Sequence, residues 1–180
     1  MRFKGKGFTL IEFLGVMAII SLLVAMVFPA IGASRHGAMR QRARWQLLEL
    51  KSALESYHTY YGNYPPFLRL HEIATPINGI RGELLEALQG VEGIGAPPMN
   101  PHNVRFLEFS PRWFNEKKHL IDALGNEAIY VILRRPDQLT IPIHAFPERL
   151  RRFIPDDGLV ESIAIYSLGA REDRDVVSWE

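Results

Sequence analysis

Gly7-Phe8-Thr9-Leu10-Ile11-Glu12 introduces the stretch on which the reading of this chain turns, because from Phe13 to Ala33 not one charged residue follows. A charge-free run of about twenty residues is long enough to cross the ~30 Å hydrocarbon core of a bilayer as a helix. It exceeds the roughly 7–15 apolar residues of a secretory signal, although Ala30-Ile31-Gly32 offers small residues of the kind a signal peptidase accepts. Glu12 speaks against that reading, since it falls where such a signal becomes uniformly apolar. A membrane anchor that is never cut is the third reading. Arg2, Lys4 and Lys6 precede the run, and Arg35, Arg40, Arg42 and Arg44 follow it, so the positive-inside rule does not settle the orientation.

The whole chain, 180 residues with 47% hydrophobic and 23% charged, has the length and balance of one globular domain, or one plus an appendage. Lys and Arg number 21 against 20 acids, a formal charge of +1, so no nucleic-acid partner is expected from bulk basicity. Cysteine is absent, which removes disulfide frameworks, thiolate metal sites and thiol nucleophiles together.

Glu12 is the unusual residue. An acid at the centre of a membrane helix costs roughly 2.5–3.5 kcal/mol, and less near the interface. One reading leaves it at the interface, in reach of headgroup water. The other gives it a partner: a cut between Gly7 and Phe8 creates an α-amine four residues away. That amine, on the same chain or a neighbour, would pair with the carboxylate in low dielectric.

Gly7-Phe8-Thr9-Leu10-Ile11-Glu12 resembles the processing motif of type IV pilins and of the pseudopilins of type II secretion. The resemblance implies that residues 1–7 are a leader, that a prepilin peptidase cuts after Gly7, and that Phe8 is methylated. It implies a role for Glu12 in filament assembly. It also makes residues 8–34 a transmembrane and filament-core helix, with Pro29 where many members carry a helix-loosening proline.

Beyond Gly32, Leu47, Leu50, Leu54, Tyr57 and Tyr61 recur at spacings of three and four, the stripe of an amphipathic helix over 35–61. Gly62 and the pair Pro65-Pro66 end it. A single helix from Phe8 to Tyr61 spans roughly 80 Å. The tyrosines read as buried packing with exposed hydroxyls. Residues 62–180 form the globular part. There Glu83–Gly90 reads as a short helix with a glycine stop, and Gly90–Pro101 as a loop. Val104–Phe109, Ala128–Leu133 and Ser162–Ser167 read as strands, and Leu139–Ile143 as a further one demoted by Pro142. The fold class is α+β: a long N-terminal helix packed on a small antiparallel sheet.

Asp122-Ala123-Leu124-Gly125-Asn126, then Tyr130, is similar to the turn and strand of major pseudopilins, with the proline and tryptophan of that pattern replaced by Ala123 and Leu124. Ile165–Gly169 and the ending Val176-Val177-Ser178-Trp179 are similar to their last strand and terminal tryptophan. That resemblance implies calcium in the intervening loop, with Asp173 and Asp175 as carboxylate ligands and Glu172 as a third. The residues themselves read first as an acid–arginine surface loop, because Arg171 and Arg174 lie among the acids.

Catalytic residues are not expected. The six histidines make no His-Glu-x-x-His pair, His71-Glu72 being followed by Thr75 where the second histidine belongs. No nucleophile elbow or phosphate loop occurs. Asp156-Asp157-Gly158 reads as a turn, and Arg149, Arg151 and Arg152 as a solvated basic face. The resemblance implies a structural subunit, closest to the major pseudopilin of type II secretion, that forms a homo-oligomeric helical filament. Its implied partners are prepilin peptidase, an inner-membrane assembly platform and minor pseudopilins. It would sit in the inner membrane with its globular part outside the cytoplasm. A type IV pilus subunit is the alternative, and an uncut membrane-anchored binding module the next.

Overall fold

The computed structural model describes residues 9–68, 74–91 and 98–179, and within these it leaves the side chains of 26–34 undescribed. The leader 1–7, Phe8, His71-Glu72 and the centre of the Gly90–Pro101 loop lie outside the described residues. The chain divides into two compact units, Met1–Ala38 and Met39–Glu180.

Helix α1 (Leu10–Tyr61) begins in the first unit. There the side chains from Leu10 to Val24 are exposed on every face, Leu10 at 80% and Leu22 at 63%. A helix that is apolar all round has no solvent face to offer and needs a surrounding of lipid or other helices. Among the described residues no helix is long and apolar enough to cross a membrane. The described side chains of the apolar run break off at Ala25, and Pro29 falls in the gap that follows.

In the second unit α1 becomes one-sided. Leu47, Leu50, Leu54 and Tyr57 are buried, as their spacing predicts. Gly62 stops the helix in the left-handed region (φ 76°), its N–H donating to the His58 carbonyl at 2.8 Å. The tyrosine hydroxyls, expected to be exposed, are bonded instead. Tyr57 Oη donates to the Met99 carbonyl at 2.5 Å and Tyr61 Oη to Asn100 Oδ1 at 2.6 Å. A ring buried this far takes its hydroxyl with it, so the hydroxyl must find a partner.

The sheet is antiparallel and runs β1 (Thr75–Pro76), β2 (Ala128–Leu133), β3 (Ile163–Leu168) and β4 (Val176–Val177), in that spatial order. β2 and β3 pair from Ala128 opposite Leu168 to Leu133 opposite Ile163. Ile129, Val131, Ile163 and Ile165 pack in one core with the buried stripe of α1. The alternate residues Ile132, Ala164 and Tyr166 pack with Phe146, Leu150 and Ile154 in a second core. Both faces are therefore covered, one by the helix and the other by short 3₁₀ turns such as Glu148–Phe153. That second cover explains why β2 and β3 read as continuous apolar runs.

Two expected strands are absent. Residues 104–109 do not alternate as a strand would, since Phe106 and Leu107 both turn inward between exposed Arg105 and Glu108, and both donate their N–H groups to the Leu88 carbonyl, at 2.8 and 2.9 Å. Their backbone bonds serve the end of a helix rather than a ladder. That helix is α2 (Arg81–Leu84), which widens to π geometry over Leu85–Gln89 and stops at Gly90 (φ 69°). A Cβ on Gly90 would lie 2.7 Å from the Asn103 carbonyl oxygen, so the stop also needs glycine for space. Leu139–Ile143 contributes a single bridge, Ile141 to Leu159, before a 3₁₀ turn takes Ile143. Pro142 has no N–H to continue a ladder.

Candidate functional site

The helix start at Thr9 is built from a local exchange of hydrogen bonds. Thr9 N–H donates to Glu12 Oε2 at 2.8 Å, and the Thr9 hydroxyl donates to the same oxygen at 2.7 Å. Glu12 N–H returns a longer bond to Thr9 Oγ1 at 3.3 Å. This is a capping box: a threonine N-cap and a glutamate three residues on satisfy each other's otherwise orphaned donors. The Thr9-x-x-Glu12 spacing carries that signal in the sequence, beside the role for Glu12 that the family resemblance implies. Chemically, the box presents a carboxylate at the first turn of an apolar helix, oriented by its own chain. Gly7 and Phe8, the residues of the expected cut, lie outside the described residues.

A second cluster closes the β3–β4 connection. Asp122 is buried and accepts four hydrogen bonds: Leu124 N–H and Asn126 N–H on Oδ1, both at 2.9 Å, and Asn126 Nδ2 and Ser167 Oγ on Oδ2, both at 2.8 Å. Asn126 Nδ2 also donates to the Arg174 carbonyl at 2.9 Å. One carboxylate thereby ties the Asp122–Asn126 turn to β3, and its asparagine partner ties that turn to the loop before β4.

The loop acids stand differently from a shell of ion ligands. Asp175 turns inward, its side chain 1% exposed, and Oδ1 accepts from Gly169 N–H at 2.9 Å. Its Oδ2 lies 3.1 Å from Arg149 Nε, an ion pair whose N–H is not aligned as a hydrogen bond. The same guanidinium donates through Nη2 to the Gly169 carbonyl at 3.1 Å. Glu172 pairs with Arg152 at 3.1 Å, and Asp173 is exposed. Among the described residues no three histidines, cysteines, aspartates or glutamates come together to hold a metal ion. The residues present do not fit calcium, because arginines 149 and 152 already hold two of the three acids.

In the basic triplet Arg151 and Arg152 are exposed, as a solvated face requires, and Arg149 alone is half-buried. Arg149 and Arg152 grip the loop, and Arg151 Nε donates to the Phe146 carbonyl at 3.2 Å. The sequence signal for this was weak, since Arg149 and Asp175 are 26 positions apart. Asp156-Asp157-Gly158 does form a turn, Gly158 N–H donating to the Pro155 carbonyl at 2.9 Å.

Two outcomes follow for the globular unit. Melting curves of residues 39–180 should superimpose with calcium and with a chelator. Arg149→Ala should lower the stability by about 2–3 kcal/mol, less than for a fully buried pair because Arg149 is 29% exposed. A calcium-dependent shift in wild-type melting would refute the first outcome.

Asp175 also sets a sign for pH. Burial pushes its carboxyl above the ordinary range, against the pull of the Gly169 N–H and of Arg149. A native-state value above the unfolded one contributes stability that is full below the unfolded value and lost as pH rises through the native one. Exposed Glu127, held low by its hydrogen bond from His119, acts in the opposite sense. The difference between wild type and Asp175→Asn isolates the effect. It should move in the variant's favour as pH rises above the ordinary aspartate range in urea titrations.

Comparison with known proteins adds an independent line. The family model described as the prokaryotic N-terminal methylation motif matches residues 2–28. The chain is 30% identical over 99 residues to the type IV major pilin protein PilE1 of Neisseria gonorrhoeae, covering 55% of each. It is 33% identical over 63 residues to the type II secretion system core protein G of Pectobacterium carotovorum subsp. carotovorum, covering 35% of this chain and 40% of the relative. A further core protein G, from Escherichia coli, is 34% identical over 62 residues, 34% of this chain and 43% of the relative. The chain spans about half the length of the curated relatives it matches. No solved structure matches it. The chain thus carries a prepilin-type N-terminal motif, and its homologues at modest identity are a pilin and a secretion core protein.

Proposed function

We propose that the chain is a structural subunit of a pilus-like filament that serves type II protein secretion. The observation that carries this reading is the first unit: a capping box that presents Glu12 at the start of a helix whose apolar side chains are exposed all round. Such a helix is stored in a membrane and buried again when helices bundle at a filament centre. Prepilin peptidase removes Met1–Gly7 and the new Phe8 amine is methylated. An inner-membrane platform, with minor pseudopilins, then draws the subunit into a helical homopolymer whose globular units face outward.

Glu12 supplies the charge partner for the Phe8 amine of a neighbouring subunit. In low dielectric that pair is worth keeping only if both charges arrive together, which ties assembly to processing. Intact mass after expression with prepilin peptidase tests the maturation step. Loss of residues 1–7 with one added methyl group is expected, and a full-length chain would refute it.

A pilus subunit is the second reading, favoured by the longer match to a major pilin. Secretion stands ahead because the Asp122–Asn126 turn and the Val176–Trp179 ending are similar to major pseudopilins. Deleting the gene separates the two: failed exoprotein release with unchanged surface filaments supports secretion, and the reverse supports the pilus.

A further inference from the structure

Two surface features of the globular unit complement one another. The first is a groove of 490 Å³ lined by Trp45, Glu49 and Ala53 of α1 and by Phe106, Leu107 and Glu108. Trp45 is 62% exposed, a large apolar surface left in water. Its rim is acidic. Among the described residues Glu49 has no ion pair, and Glu108 has only Arg105 at 3.9 Å, with both side chains largely exposed. A contact of that kind is worth little.

The second feature is the turn that follows β2. Leu139 at its tip is 87% exposed, the highest exposure of any large apolar side chain in this unit among the described residues. The tip is braced: Arg134 Nη1 donates to the Leu139 carbonyl at 2.8 Å, and Gln138 N–H to the Arg135 carbonyl at 3.1 Å. Arg135 is exposed beside it. An apolar knob with Arg134, Arg135 and the exposed Asp137 around it, net positive, stands on one part of the surface, and an aromatic-walled groove with a net acidic rim on another. The two share no residue.

We infer that the Leu139 tip of one copy of this chain seats in the Trp45 groove of the next, with Arg135 opposite Glu49 and Glu108. Different patches meeting head to tail leave one knob and one groove unused at each end, which generates an open polymer rather than a closed dimer. Tryptophan and arginine are the residue types that most often dominate such contacts once water is excluded. The opposite charges fix register and select the partner. The contact rests on the filament reading and gives that filament an outer contact in addition to its helical centre.

The chain has no cysteine, so introduced thiols report without background. Ser52→Cys with Gln138→Cys in one chain, processed and assembled in full length, should give a ladder of disulfide-linked multimers on mild oxidation. Each single variant should give none. Glu49→Arg should cut filament yield about 10-fold, and Arg135→Glu in the same chain should restore it to within about 2-fold. Normal filaments by electron microscopy without a ladder, or charge reversals whose losses add, overturn the contact and leave the filament reading standing. No filaments from processed wild type overturn both. A blue shift of tryptophan emission on phosphatidylglycerol vesicles that Trp45→Phe abolishes, with no ladder, assigns the groove to the membrane surface and overturns the contact.

Discussion

Glu12→Gln should be cut after Gly7 and inserted as efficiently as wild type, and yet should fail to enter filaments. Glutamine can still serve as the third residue of a capping box, so the Thr9 helix start is kept. It cannot neutralise the ammonium of a neighbour's Phe8. Removing one partner of a buried ion pair costs about 3–5 kcal/mol, because the other charge is left unpaired, which is two or more decades in an assembly equilibrium. Glu12→Ala loses both the cap and the charge and should fail at least as completely. Electron microscopy of sheared filaments and immunoblots of the membrane fraction read the two steps separately. If the glutamine variant assembles at wild-type yield, Glu12 serves the helix start alone and the pairing role is wrong.

The largest loss of folding stability is expected at Asp122. Asp122→Ala removes an acceptor that four donors share; three of these bonds are buried, and while Asn126 Nδ2 keeps the Arg174 carbonyl, Asn126 N–H and the Ser167 hydroxyl are left without a partner. Each of these two donors costs about 1–3 kcal/mol, so the sum comes to about 2–6 kcal/mol for residues 39–180. Asp122→Asn should fall between alanine and wild type. Its carbonyl can still accept from Leu124 and Asn126, while its amide would face the Asn126 amide donor head on. Urea unfolding at neutral pH measures all three. An alanine variant within about 1 kcal/mol of wild type would mean that water replaces the lost acceptor.

The parts of this architecture that repeat with a period were legible in the residues. The Leu47–Tyr61 stripe lies on the core, and β2 occupies Ala128–Leu133 as its apolar run indicates. β3 lies one residue along from its expected span. Residues 104–109 misled because a short run of large apolar residues says nothing about where the backbone bonds go. The 3₁₀ cover on the second face, around Phe146 and Leu150, has no period to detect. At the candidate site, the three-residue spacing of Thr9 and Glu12 holds a capping-box signal that the reading of Glu12 as the partner of an amine passed over, whereas the grip of Arg149 on Asp175 depends on the fold having first brought distant positions together.

That grip has a consequence for where the protein works. A bound metal ion equilibrates with its surroundings, and a loop that depends on one loosens wherever the ion is scarce. A guanidinium tethered to the chain cannot be diluted away or chelated. By closing Gly169–Asp175 with Arg149, the protein carries the counter-charge of Asp175 within its own chain.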